Sequence, residues 1–141
     1  MKQLKIYTVL GIAILGICIS TRAIAGQKEE QAVAAAQAWL ALVDQGYYSE
    51  SWEAAALYFK QAITKDKWEQ ALTAVRKPLG QMLSRKLESK TYTQSLPGAP
   101  DGVYVVIQFK ASFKNKKSAI ETVTPMLEKD GKWRISGYYI K

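Results

Sequence analysis

The chain has 141 residues, 48% hydrophobic and 23% charged, and its 20 Lys and Arg against 12 Asp and Glu give a formal charge of +8. That is the length of one domain, and it is too apolar for intrinsic disorder. With no His and a single cysteine, Cys18, the sequence excludes Ser-His-Asp and Cys-His catalysis, imidazole metal ligation and an internal disulfide framework.

Lys2 and Lys5 begin the chain, Ile6 to Ile19 is an apolar run, and Ala23-Ile24-Ala25 puts small residues at the two positions a signal peptidase reads. That order predicts a secretory signal peptide over residues 1–25, cleaved after Ala25. The apolar run, about 14 residues, is shorter than the roughly 20 of a spanning helix. Leu15-Gly16-Ile17-Cys18 fits lipid attachment poorly because Ile17 is bulky. Removing the leader takes Lys2, Lys5, Arg22 and Cys18, which lowers the formal charge by three to +5. The expected mature protein is a single thiol-free domain, residues 26–141, without a membrane span, periplasmic or secreted.

Gln27 to Gly46 predicts one long helix, with Val33, Ala36, Leu40 and Val43 at helical spacing and Trp39 and Leu42 widening the apolar arc. Gly46 suits the position after its end. A second helix is expected from an N-cap at Ser49, burying Trp52, Ala55, Ala56 and Phe59. Thr64 caps a third, whose stripe is Trp68, Ala71, Leu72, Val75 and Leu79, closed by Pro78 and Gly80.

Beyond Met82 the pattern changes to strands. Ser84 to Gln94 is followed by a loop with two prolines and two glycines, residues 96–102. Val103 to Phe113 alternates, with Val103, Val105, Ile107, Phe109, Ala111 and Phe113 on one side. Asn115-Lys116-Lys117 turns into Ser118–Glu128, where Pro125 implies an edge or a bulge. Asp130-Gly131 is a hairpin signal leading into Lys132–Ile140. The fold class is α+β, three helices packed on one face of a curved four-stranded antiparallel meander.

This order resembles the NTF2-like cone. More specifically, Ala38-Trp39-Leu40-Ala41-Leu42-Val43-Asp44-Gln45-Gly46-Tyr47-Tyr48-Ser49-Glu50-Ser51-Trp52 resembles the signature of an exported bacterial family, domain of unknown function 4019. Arg76-Lys77-Pro78-Leu79-Gly80, the 96–102 loop, Glu121-Thr122-Val123-Thr124-Pro125-Met126 and Asp130 to Ile140 are similar to its other recurring stretches. The resemblance implies a cavity between the sheet and the helices. It carries over no activity, since NTF2-like domains serve as isomerases, dehydratases, scaffolds and binding modules.

Candidate chemistry therefore rests on a few side chains. Asp66, Asp101 and Asp130 are explained by helix starts and turns, leaving Asp44 and Glu121 as carboxylates able to face inward. For Glu121 the favoured reading is an outward side chain paired with a lysine, and the competing one an acid–base group. Arg76, beside the third helix's stripe, and Arg85 are placed either to hold an anion at the cavity mouth or to snorkel over the sheet. Trp68, Tyr104 and Tyr138 complete the candidate ligand-binding set of Arg76, Arg85, Trp68, Tyr104, Glu121 and Tyr138. Trp68, like Trp39, Trp52 and Phe59, falls on an apolar helical face, where core is the favoured reading over a ligand box.

Lys110, Lys114, Lys116 and Lys117 cluster at one hairpin turn, but no Arg-rich helix or basic-aromatic motif points to nucleic acid. An anionic envelope polymer or lipid headgroup is the more natural counterpart, and solubility alone explains the charge equally well. The expected function is a non-catalytic module binding a small molecule or an envelope protein, without metal or cofactor. The alternatives are an isomerase- or lyase-type enzyme using Glu121 or Asp44, and a homodimer formed through the outer sheet face.

Overall fold

The computed structural model of the protein describes residues 21–141. Most of the expected leader, including Cys18, lies outside the described residues, and Thr21 to Ala25 form the start of the first helix. Four helices, α1 (Thr21–Asp44), α2 (Tyr48–Glu53), α3 (Leu57–Ala62) and α4 (Lys65–Leu79), precede four strands, β1 (Met82–Thr93), β2 (Val103–Phe113), β3 (Lys116–Leu127) and β4 (Trp133–Ile140). The strands pair antiparallel in the order β1-β2-β3-β4, an open meander. The α+β architecture expected from the sequence is the one observed.

α1 buries Ala32, Val33, Ala36, Trp39, Leu40 and Val43 and lies against all four strands. It ends where Gly46, at φ 81°, turns left-handed. Tyr47 N–H then reaches the carbonyl of Leu42 and Gly46 N–H that of Val43, the two bonds of a Schellman cap.

The single second helix expected from Ser49 is instead two short ones, and Ser49 lies inside α2 rather than capping it. The interruption has a clear cause. Ala56 N–H leaves the helical ladder to donate to Ile135 O of β4 at 2.9 Å, and Leu57 N–H donates to the Glu128 carboxylate at 2.8 Å. Ala55 and Ala56, both fully buried, let the backbone come that close to the sheet.

α4 follows the expected N-cap Thr64, but its inward row is not the expected one. Trp68, Leu72 and Arg76 are buried, whereas Ala71 is exposed and Val75 is 42% exposed. The helix meets its neighbours along an i, i+4, i+8 ridge, so an arginine takes the place expected of valine.

Pro125 marks a bulge rather than an edge, because β3 runs between β2 and β4 and its register with β4 shifts between Thr124 and Pro125. Further shifts occur at Met82/Ser84, Leu87/Ser89 and Ala111/Phe113. Such insertions bend strands and raise their twist. The main core joins the α1 row, Phe59, Trp68 and Leu72 to Val105, Ile107, Phe109, Val123 and Ile135, and a smaller cluster gathers Ala111, Phe113 and Ala119 with Leu79, Met82 and Ile140.

Candidate functional site

Where the two clusters meet, four charged side chains from four elements interlock. Asp44 ends α1, Arg76 lies in the last turn of α4, Arg85 is on β1 and Glu121 on β3. Arg85 grips Asp44 bidentately, Nη1 to Oδ2 at 2.7 Å and Nη2 to Oδ1 at 2.9 Å, and sends Nε to Glu121 Oε1 at 2.7 Å. Arg76 Nη2 donates to Asp44 Oδ1 at 2.7 Å. The Tyr138 hydroxyl, from β4, donates to Glu121 Oε2 at 2.6 Å.

Register explains how Arg85 reaches β3. Its cross-strand partner is Ala111, which in turn faces Ala119. Two methyl side chains leave the guanidinium room to cross β2.

The cluster balances two carboxylates against two guanidiniums. The Glu121 side chain is fully buried and that of Arg85 only 11% exposed. Burial pushes the Asp44 carboxyl up, but hydrogen bonds and charge from Arg85 and Arg76 outweigh it and hold it below the ordinary carboxylate range. Burial raises the Tyr138 phenol far above its usual range, and the Glu121 charge raises it further. Burial works against the Arg85 charge, yet its two carboxylates raise its basicity overall. The Arg76 guanidinium lies 5.0 Å above the Phe113 ring, and its Nε and Nη1 are buried without a hydrogen-bond partner.

Four of the six expected site residues, Arg76, Arg85, Glu121 and Tyr138, therefore meet. Glu121 corrects the favoured expectation, for it points inward to an arginine and a tyrosine rather than outward to a lysine. Trp68 is close but is core: its ring lies 6.3 Å from Tyr138 and 4.8 Å from Phe59, and its indole N–H donates to Ser51 Oγ at 3.0 Å. Tyr104 stands apart. It is buried against Gly102 with its hydroxyl donating to Pro100 O, and it pairs across strands with Met126 on the other face of the sheet. Asp44, outside the expected binding set, is the hub. Its signal was position, since Asp44 continues the Ala36, Leu40 row of α1 as Arg76 continues Trp68, Leu72.

A groove opens on the far side of Trp39, whose ring is 5.4 Å from Tyr138. It encloses about 300 Å³ between α1, Ala54 and β4, and is lined by Ala35, Ala38, Trp39, Leu42, Trp133 and Ile135. Its one charged lining residue, Arg134, pairs with Glu128 and with Asp130. Hydrogen bonds from Arg134 and from Lys132 N–H hold Asp130 at about 2. Among the described residues, no group of three or more Asp, Glu, Cys or His is arranged to hold a metal, and no helix is long and apolar enough to cross a membrane.

The family model described as "Protein of unknown function (DUF4019)" matches residues 35–138. No curated protein and no solved structure matches the chain.

Proposed function

The chain belongs to the DUF4019 family, and on that premise we propose that it is an exported, non-catalytic binding module whose ligand seats in the Trp39 groove. The observation that carries this reading is how the buried ionisable groups are spent. An acid–base enzyme needs one inward carboxylate with a free oxygen and a raised pKa. Here both Glu121 oxygens accept hydrogen bonds, and Asp44 is held below its ordinary range. The cluster acts as a clasp joining α1 and α4 to the sheet.

The groove has the opposite character: open, apolar and shaped by three alanines where larger side chains would fill it. A small molecule with an apolar body, its polar end at the Arg134 rim, suits that lining. Export rests on the leader pattern of residues 1–25.

Native mass spectrometry of protein taken from its own envelope fraction tests the reading. A small molecule should co-purify with the wild type and be absent from Ala38→Trp, in which the indole fills the groove. A wild type that carries nothing, or a ligand that persists in Ala38→Trp, overturns it. N-terminal sequencing of the same material should start at Gly26.

A further inference from the structure

We propose that the outer face of the sheet, opposite α1, is a docking surface for an acidic polysaccharide. Side chains of directly opposed residues share a face, so the register defines rows across the sheet. Lys86 opposes Lys110, Lys110 opposes Ile120, and Ile120 exchanges both backbone hydrogen bonds with Lys141, at 2.8 and 3.0 Å. Three exposed lysines, on β1, on β2 and directly after β4, thus stand in one row, spaced by multiples of the strand separation, about 4.8 Å.

Two like charges directly opposed, Lys86 and Lys110, lower stability, which gives the row a cost that folding alone does not explain. Glu88 is the carboxylate that reaches it, 3.0 Å from Lys110 Nζ. Exposed Lys114, Lys116 and Lys117 extend the positive field at the adjoining β2–β3 turn.

The next row sets the chemistry of the occupant. Ser89, Gln108, Thr122 and Tyr139 oppose one another in turn. Tyr139 is 55% exposed, Ser89 is exposed and Gln108 half-buried, while Thr122 is buried between Gln108 and Tyr139 and serves only to space them. A serine hydroxyl, an amide and an open aromatic ring beside a cation row match a chain of sugar rings bearing carboxylates. The lysines meet the charges, the polar row meets ring hydroxyls, and Tyr139 offers a face for stacking.

A bare phosphate polymer would leave the second row unused. A lipid surface calls for an exposed apolar face, and Tyr139 is the one exposed large hydrophobic residue in these rows. A second copy docked by two-fold symmetry would bring the lysine row against the same face.

The test is calorimetric titration of the full chain with polygalacturonate at about 0.15 M salt, with polyphosphate, neutral dextran and anionic vesicles as comparisons. The result expected is binding of the polyuronate, weakened about tenfold in Lys86→Ser/Lys110→Ser/Lys141→Ser. Lys67→Ser/Lys129→Ser, on other surfaces, should bind as wild type. Tyr139→Ala should weaken polyuronate binding while leaving polyphosphate binding unchanged. The proposal is overturned if polyuronate does not bind, or if the control pair weakens it as much as the triple variant. Equal effects of Tyr139→Ala on both polymers, or binding to vesicles alone, overturn it too, as does dimerisation abolished by the triple variant. Groove occupancy in Ala38→Trp is read separately, so the two readings fail independently.

Discussion

Arg85 holds both carboxylates of the cluster, the half-buried Asp44 and the buried Glu121, so removing it tests whether the cluster is a clasp. Arg85→Met leaves the fully buried Glu121 carboxyl without its cation, bonded only to Tyr138. An orphaned buried charge costs about 3–5 kcal/mol, and urea unfolding should show a loss of that size. Replacing Glu121 by Met in the same chain should recover part of it, because the buried polar group left without its partner goes with the side chain. Asp44 gives the acid limb. Its folded pKa lies below the unfolded value, so its contribution is present above about pH 4 and is lost as pH falls through the folded value. The stability difference between wild type and Asp44→Asn should therefore shrink below about pH 4. Tyr138 gives the alkaline limb with the opposite sign. Its folded pKa is raised, so stability declines as pH climbs above about 10, where the unfolded phenol ionises. Tyr138→Phe should flatten that decline, measured as unfolding free energy from pH 9 to 11.

At the scale of elements, legibility in the sequence depended on what decides the structure. β2 was readable because its alternation is enforced by a covered face, and Pro125 because a missing N–H admits few places inside a sheet. The α2–α3 break was not readable, since a run of alanines gives no local signal. It is set by Ile135 O and Glu128, some 70 to 80 residues away in sequence. α4 departs from its periodicity for a related reason: spacing favours Val75 over Arg76, but the partner needed there is the carboxylate of Asp44. Leu72→Ala should accordingly cost about 2–5 kcal/mol and Val75→Ala less than about 0.5 kcal/mol. At the end of α1, a Cβ on Gly46 would touch nothing within 4 Å, so Gly46→Ala isolates the backbone cost of its positive φ. That cost should be about 1–2 kcal/mol by denaturant unfolding.

Across the whole molecule the charges divide by depth, and salt separates the two populations. Asp44, Arg76, Arg85 and Glu121 are enclosed and nearly neutral as a set, so mobile ions screen them little. The lysines of the outer face and the β2–β3 turn are exposed and of one sign. Sequence alone gave the surplus of positive charge and the cluster at the turn. It could not give the row, because Lys86, Lys110 and Lys141 are far apart in the chain and become neighbours only through register. At low salt, repulsion between them opposes the sheet by about 0.2–1 kcal/mol per opposed pair. Chloride screens it over a Debye length that shrinks to about 3 Å at 1 M. The wild-type chain should therefore gain thermal stability as NaCl rises from about 0.01 to 0.3 M, where the Debye length falls below 10 Å. Lys86→Ser/Lys110→Ser should start more stable at low salt and gain less over that range, read as Tm against ionic strength. Arg85→Met, destabilised through the interior, should keep the wild-type slope. If all three slopes coincide, the lysine row contributes no measurable repulsion and the protein's salt response comes from elsewhere on its surface.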